Sequence, residues 1–363
     1  MISIFLPHLR VGGAERVNLN LGYEFARKGH VVEFVLLQAE GELLSEAQSS
    51  FSVVNLNCSR LRSLPKILLD YLHKRRPDNI IVSIWPLTVL VALAKIFYWK
   101  RCKVIICEHN NLSVQYRKWG WVHRFFMKSS MFFGYRLANA RVGVSKGVVN
   151  DIAKLSGLSK KMFEVIYNPV NACSQPSTEA LKNADKLWSC PSGARIVTVG
   201  NLTEQKNHKL LLNSFARMGI AKSRLMFVGD GKGRESIILQ ARELGIDDKI
   251  ILAGFQADPT PFYKTADLFV LSSDYEGLPL VVIEALACGL PIVSTDCPSG
   301  PSEILVNGRY GHLVPVGDEN SLTNAMGLSL NTPQESAKLI KRSEDFSPEN
   351  ISNKYLKLLD EII

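Results

Sequence analysis

Short runs of β-branched and apolar residues alternate with helical patterns along the whole chain, and no other feature limits the fold as much. The runs predict strands over Ile2–Leu6, Val31–Leu37, Phe51–Leu56, Asn79–Ile84, Lys103–Glu108, Ala140–Val144 and Phe163–Tyr167. A second set follows over Arg195–Gly200, Arg224–Gly229, Lys249–Gly254, Asp267–Ser272, Pro291–Thr295 and Gly311–Pro315. Several read as near-continuous apolar stretches, as strands buried on both faces of a parallel sheet do. Such alternation implies a doubly wound α/β sheet, here twice over. With 363 residues the chain can bury two cores of ordinary size.

The break between the sets runs from Asn168 to Ala194, rich in Asn, Ser and Pro (Pro169, Pro176, Pro191), and reads as linker and loop. It divides the chain into an N-terminal Rossmann-like domain over residues 1–170 and a C-terminal one over residues 171–345. After Pro333 the pattern is helical, with Ile351, Tyr355, Leu358 and Leu359 on one face. A final helix over residues 346–363 is expected to pack back on the first domain. No repeat of solenoid length occurs.

The opening Met1-Ile2-Ser3-Ile4-Phe5-Leu6 has no basic flank and is too short for a signal peptide. The longest uncharged run, 16 residues between Asp78 and Lys95, is interrupted by Pro86 and falls short of the roughly 20 residues that span a membrane. Seven scattered cysteines without a Cys-x-x-Cys argue for a reducing compartment and against structural zinc. A cytoplasmic protein is expected.

The net charge of +9 conceals an asymmetry: residues 1–170 carry 24 Lys/Arg against 11 Asp/Glu, residues 171–363 carry 19 against 23. From Lys95 to Arg141 there are ten basic residues, Lys100 and Arg101 among them, and one acid, Glu108. One half therefore faces something anionic.

In open α/β sheets ligands bind beyond the carboxyl ends of the strands. After the first strand, the segment Pro7–Arg16 holds Gly12 and Gly13 ahead of a helical stripe of Ala14, Val17, Leu21 and Phe25 that closes at Gly29. The glycines allow close backbone approach and the helix start offers N–H groups to an anion. A plain tight turn is the competing reading, since this is not a Gly-x-Gly-x-x-Gly fingerprint. The run Lys103–Glu108 ends in Cys107-Glu108-His109-Asn110-Asn111, a polar cluster placed to bond a sugar, although a lone His is more often structural.

In the second half, Lys206 precedes a stripe of Leu210, Leu211 and Phe215, a natural place for a cation beside a diphosphate; a single lysine is otherwise usually solvated. After Asp267–Ser272 comes a loop with Glu276, then Pro279 in a first helical turn and Gly289 just past the helix end. The N–H groups of Gly277, Leu278 and Leu280 are then free to meet a diphosphate, each worth about 0.3–1 kcal/mol at an exposed site. Glu284, one turn inside the helix on its apolar side, needs donors, which two vicinal ribose hydroxyls supply.

Glu276 to Glu284, with Gly-Leu-Pro between them and Glu-Ala-Leu-Ala-Cys-Gly-Leu-Pro-Ile-Val following, resembles the Glu-x7-Glu motif of the family-4 retaining glycosyltransferases. Gly12-Gly13-Ala14-Glu15-Arg16, Val165–Val170, Lys206, Phe227–Gly231, Gly254-Phe255 and the segment from Gly311 resemble the same family in order. The resemblance implies a GT-B fold, two Rossmann-like domains facing across a cleft, the first for acceptor and the second for nucleotide sugar. It implies transfer with retention at the anomeric carbon, with no metal and no cofactor beyond the nucleotide-sugar donor. No Asp-x-Asp stands at a cleft-facing strand end.

By the same resemblance Gly12 and Gly13 approach the diphosphate, His109 contacts the donor sugar and Lys206 neutralises the leaving phosphate. Glu276 contacts the sugar, Glu284 holds the ribose, and Asn201, Gly254 and Phe255 join Gly277, Leu278 and Leu280 as donor-binding positions. The segment Asp296–Leu305 resembles the bacterial subgroup that builds surface polysaccharides, lipopolysaccharide and lipid-linked oligosaccharides, often from UDP-sugars. Asn201 stands where most members have Arg, removing one of two phosphate cations, with Arg16 and Arg234 as possible substitutes.

Within residues 116–141, basic residues alternate with Trp119, Trp121, Phe125, Phe126, Phe132, Phe133 and Tyr135, which suits an interfacial helix on an anionic membrane. A core helix with a solvated basic face is the alternative. Nucleic acid is not an expected partner, because no recognition motif of that kind is present. Two other functions fit the same sequence, a GT-B nucleotide-sugar epimerase and a non-catalytic partner that only binds sugar nucleotide.

Overall fold

The computed structural model describes residues 1–10, 12–58, 60–98, 102–189, 193–332 and 334–362. Val11 of the first loop, Lys100 and Arg101 of the basic stretch, Cys190 and Pro191 of the linker, and Pro333 before the tail lie outside the described residues.

The chain divides into two compact units, Met1–Pro169 with Pro348–Ile363, and Val170–Ser347. In the first unit the strands are β1 (Ile2–Leu6), β2 (Val32–Leu36), β3 (Ser52–Asn55), β4 (Asn79–Ser83), β5 (Lys103–Glu108), β6 (Ala140–Gly143) and β7 (Glu164–Val165). They form one parallel sheet in the order β3-β2-β1-β4-β5-β6-β7. The second unit holds β8 (Arg195–Val199), β9 (Arg224–Val228), β10 (Ile250–Gly254), β11 (Leu268–Leu271), β12 (Ile292–Thr295) and β13 (His312–Val314). These are parallel in the order β10-β9-β8-β11-β12-β13.

Both sheets are thus doubly wound. The apolar runs explain which strands are central: every residue of β1, β2, β11 and β12 is buried, whereas the edge strand β3 and the outer β10 are partly exposed. In each sheet the strand order reverses once, between β1 and β4 and between β8 and β11. A reversal point opens a crevice at the carboxyl edge because the flanking connections leave to opposite faces. The loops after these four strands are therefore the ones placed to hold a ligand.

Two parts of the chain differ from the sequence reading. The segment between the strand sets is more than linker: Thr178–Trp188 is a helix, capped by Ser177, whose Oγ accepts from the Ala180 N–H at 3.1 Å. Its Trp188 is fully buried, with the indole N–H donating to Thr265 Oγ1 at 3.0 Å. A cap and one large anchor outweigh the Asn/Ser/Pro composition around them. The tail is two helices, Ser336–Ser343 in the second unit and Pro348–Glu361 in the first, separated by a 3-10 turn. Within the first unit the last helix packs on the helix Gly13–Arg27, with Tyr355 edge-on to Phe25 and its hydroxyl 3.2 Å from Cys107 Sγ.

Among the described residues, no helix is long and apolar enough to cross a membrane.

Candidate active site

In the second unit the loops after β8 and β11, neighbours at the reversal point, are sewn together. Lys206 closes a 3-10 turn, Glu204–Lys206, and its ammonium lies 2.7 Å from Glu276 Oε1. Ser273 Oγ donates to the same oxygen at 2.7 Å, and Gln205 Nε2 donates to Glu276 Oε2 at 3.3 Å and to the Tyr275 carbonyl at 2.7 Å. Ser272 Oγ donates to the Lys206 carbonyl at 2.8 Å, and Asn207 Nδ2 to Asp274 Oδ1 at 2.7 Å. Asn207 has a positive φ, which Asn tolerates, and its Oδ1 caps the helix His208–Met218 by accepting from the Leu210 N–H.

Glu276 is thus a buried carboxyl group with donors on both oxygens, one of them the Lys206 ammonium. The next residue but one to Lys206, His208, is a core histidine, edge-on to Phe227 and held neutral by burial, its pKa down to about 4.

Pro279 does not enter the helix; it caps Leu280–Ala287 from an extended conformation, one residue earlier than a first-turn proline. Among the described residues nothing accepts the N–H groups of Gly277, Leu278 and Leu280. Glu284 projects from this helix, and Tyr263 donates its hydroxyl to Glu284 Oε2 at 2.9 Å. Burial raises the Glu284 pKa, and the Tyr263 bond and then Lys206 oppose that rise. Its other oxygen takes no hydrogen bond among the described residues.

The segment after β12 braces the loop from behind. Ser299 Oγ bonds the Glu276 carbonyl and Thr295 Oγ1 the Ser273 carbonyl. Gly300 has φ +97°, and a Cβ there would stand 2.4 Å from Pro279 Cδ.

Asn201 is exposed at the end of β8, and the loop after β9 closes over its neighbour: a Cβ on Gly229 would come within 2.0 Å of the Gly200 carbonyl oxygen. The Leu202 N–H donates to the Asp230 carbonyl at 2.9 Å. Gly254 ends β10 with φ +72° and bridges Gly229; Phe255 after it is 55% exposed. Of the two possible substitutes for the missing Arg, Arg16 is held by both oxygens of Glu46, at 2.8 and 2.9 Å. Arg234 makes no ion pair among the described residues.

In the first unit, Gly12 caps the helix Gly13–Arg27. Its φ of −158° suits any residue, so conformation does not require glycine, and a Cβ would sit 2.3 Å from Glu15 Oε2, the end of a flexible side chain. The Glu15 carboxyl, its pKa raised by burial, thus folds back beside the helix start. From the same helix Asn18 Nδ2 donates to Ser83 Oγ at 3.1 Å, and Ser83 Oγ lies 3.2 Å from His109 Nε2. His109 is buried and its pKa falls to about 4, burial outweighing the Asn168 contact, so the imidazole is neutral. Its Nδ1 has no hydrogen-bond partner among the described residues.

Two members of the polar cluster at the end of β5 turn inward. Cys107 turns to Tyr355, and Glu108, 1% exposed, accepts from Tyr135 OH at 2.5 Å, Thr88 Oγ1 at 2.8 Å and the Trp85 N–H at 3.2 Å. Burial raises the Glu108 pKa to about 7 despite those three bonds. A carboxyl with its folded pKa above its ordinary value near 4.5 binds its proton more tightly in the folded chain. Its contribution to stability is complete below the unfolded pKa and is lost as pH rises through the folded one. Unfolding free energy should therefore drop by roughly 3 kcal/mol between about pH 4.5 and pH 7.5. Denaturant melts of wild type and Glu108→Gln across that range should show the slope reduced in the variant; equal slopes would assign the titration to other groups.

The structure brings Lys206, Glu276, Glu284 and the N–H groups of Gly277, Leu278 and Leu280 to one edge of the second unit; Gly12, Gly13 and His109 belong to the first. Tyr263, Ser273 and Gln205 were not apparent from sequence. Gln205 adjoins Lys206 and had that signal, whereas Tyr263 and Ser273 are partners only through the fold.

The chain matches two family profiles, Glycosyltransferase Family 4 over residues 11–172 and Glycosyl transferases group 1 over residues 191–346. It is 28% identical over 337 residues to the N-acetylgalactosamine-N,N'-diacetylbacillosaminyl-diphospho-undecaprenol 4-alpha-N-acetylgalactosaminyltransferase of Campylobacter jejuni, covering 88% of this chain and 87% of the relative. To the amylovoran biosynthesis glycosyltransferase AmsD of Erwinia amylovora it is 24% identical, over 96% of each chain. Among solved structures, HepE of Anabaena in complex with UDP superposes with a TM-score of 0.84 at 18% identity, over 99% of this chain and 100% of that one. Profiles that between them span both strand sets, a relative aligned along nearly the whole length and two doubly wound parallel sheets agree on one conclusion: the chain belongs to the family-4, group 1 glycosyltransferases, enzymes of the GT-B fold.

Proposed function

We propose that this glycosyltransferase moves a hexose or N-acetylhexosamine from a UDP-sugar, with retention and without a metal, onto a lipid-linked or polysaccharide acceptor in bacterial glycan synthesis. The observation that carries the reading is the Lys206–Glu276 pair, 2.7 Å apart, beside the unpaired N–H groups that open the helix bearing Glu284. A diphosphate is a dianion, and the partly buried Lys206 ammonium and the helix start are the groups that stabilise it as it leaves. Glu284, with one oxygen on Tyr263 and the other uncommitted, suits a ribose diol. His109, neutral with one ring nitrogen unpartnered, suits a sugar hydroxyl. UDP is favoured by the complex of HepE, and a membrane-held acceptor by the Campylobacter relative, whose name specifies a diphospho-undecaprenol-linked sugar.

In this reading the first unit binds acceptor and the second the donor. The acceptor hydroxyl attacks from the face that UDP leaves, while Lys206 and the helix N–H groups take up the charge of the departing phosphate. UDP release should occur only with sugar donor and acceptor together. UDP-sugar turnover without acceptor would instead mark an epimerase, and UDP binding without any turnover a non-catalytic partner.

Arg234 takes the part of the cation absent at Asn201, because Arg16 is committed to Glu46. Arg234→Ala should lower turnover about tenfold, equivalent to about 1.4 kcal/mol. Steady-state kinetics of Arg234→Ala and Arg16→Ala test this, and equal effects would reject it.

The helix Trp121–Leu137 supports a peripheral site on the inner face of the cytoplasmic membrane. Its packed side is Met127, Met131, Gly134 and Tyr135, so Tyr135 does not belong to the outward aromatics. Arg141 is likewise internal, donating to the Ala138 carbonyl at 2.8 Å. What faces outward is Trp121 at 81% exposure, Phe125, Phe126 at 65% and Phe133 at 62%, with Arg124 and Lys128 among them. Large exposed aromatics beside cations suit the interface of an anionic bilayer. Trp121→Ser/Phe125→Ser/Phe126→Ser should lose most liposome flotation, and wild-type binding should weaken with salt. Absence of wild-type flotation at low salt would remove this part of the proposal.

A further inference from the structure

Two thiols of the second unit stand against each other. Cys173 Sγ lies 2.8 Å from Cys288 Sγ, and both residues are partly exposed. A disulfide bond is about 2.05 Å long, so closing this pair needs a sulfur movement below about 1 Å. The other described cysteines, Cys58, Cys102, Cys107 and Cys297, are buried.

The pair joins two functionally different segments. Cys173 lies three residues past Val170, where the chain enters the second unit, in a stretch without regular structure. Cys288 is the C-cap of the helix Leu280–Ala287, its N–H donating to the Glu284 carbonyl at 3.1 Å. Next to Cys173, Ser174 Oγ donates to Asp258 Oδ2 at 3.2 Å, and Asp258 Oδ1 accepts from the Thr260 N–H at 2.9 Å, at the start of the helix that supplies Tyr263. The entering segment is thus already tied beside the elements that hold Glu284.

We propose that Cys173 and Cys288 form a reversible disulfide, a redox-sensitive site that staples the entering segment to the helix carrying Glu284. The oxidant is a small-molecule disulfide such as oxidised glutathione. The Cys173 thiolate attacks one of its sulfurs, forming a mixed disulfide and releasing one thiol. Cys288, deprotonated, then attacks the Cys173 sulfur, closing the protein disulfide and releasing the second thiol. In sum, one protein dithiol is oxidised, one small disulfide is reduced to two thiols, and the two protons pass to those thiols. Burial and the neighbouring Cys173 raise the Cys288 pKa, with Lys264 opposing. Cys288 therefore suits the second, resolving step, in which attack is intramolecular, better than the first. Where thiols are kept reduced the pair rests as a dithiol, and it responds when the pool turns oxidising.

The test does not depend on the enzymatic reading. The full chain is incubated with oxidised glutathione, free thiols are trapped by alkylation under acid quench, and unreduced peptides are mapped by mass spectrometry. A Cys173–Cys288 cross-linked peptide should be the dominant disulfide, reversed by dithiothreitol, with a higher thermal midpoint in the oxidised protein. Cys173→Ser and Cys288→Ser should each lose the cross-link, and the remaining thiol should accumulate as the glutathione adduct. Recovery of both thiols fully alkylated, or a dominant disulfide of either one with Cys190, would overturn the proposal.

Discussion

Replacing Lys206 with Ala is expected to lower turnover about a hundred- to a thousandfold while leaving the acceptor KM nearly unchanged. Removing a single preorganised group that stabilises transition-state charge costs on that order. Lys206 pairs with Glu276, the residue before the loop Gly277–Leu280, and its side chain is only 16% exposed, so water screens its charge little. The effect should therefore stand at the upper end. Because Ser273 and Gln205 also bond Glu276, the variant keeps donors on that carboxylate and should still fold. Acceptor-dependent UDP release, measured beside a thermal melt, separates lost catalysis from lost fold. Wild-type kcat in a folded Lys206→Ala would refute the assignment, and so would a defect confined to acceptor KM.

Glu284→Ala should act on the donor instead, raising its KM and the UDP dissociation constant about a hundredfold. Hydrogen bonds to a charged group contribute about 1.5–3 kcal/mol each, and a ribose diol would make two. The variant also strips the buried Tyr263 hydroxyl of its shorter acceptor, leaving it the Val281 carbonyl at 3.4 Å, which costs stability by itself. Tyr263→Phe is the control: it removes the same internal bond but leaves the carboxylate to meet a ribose. Calorimetric titration with UDP should show near-wild-type affinity for Tyr263→Phe and a large loss for Glu284→Ala. Equal affinities in both variants would mean that Glu284 is a structural acceptor for Tyr263 and no more.

Several candidate site positions could be named before the fold because local chemistry singles them out. A Glu one turn inside an apolar helix, and a loop of Gly277-Leu278-Pro279 ahead of it, are unusual in any context, and Gly289 with positive φ marks the helix end as a left-handed cap. The environment of each residue was not readable. The cluster after β5 looks uniformly polar in one dimension, yet period-two alternation sends Cys107 to the last helix and Glu108 to Thr88 and Tyr135. The helix Thr178–Trp188 was obscured because composition around a capped helix dominates a short window, whereas a single buried Trp decides the packing.

By itself, the sequence determined the thirteen strands, their grouping into two sets and their parallel character. These follow from near-neighbour patterns: an apolar run flanked by turn residues has few other ways to bury itself. Strand order was decided only by the tertiary structure, because pairing is a property of the whole sheet. Placing β11 beside β8, across intervening β9 and β10, carries Glu276 to Lys206 over 70 residues of chain. The same folding set Tyr263 against Glu284 and brought Cys173 to Cys288, contacts that no spacing in the sequence encodes.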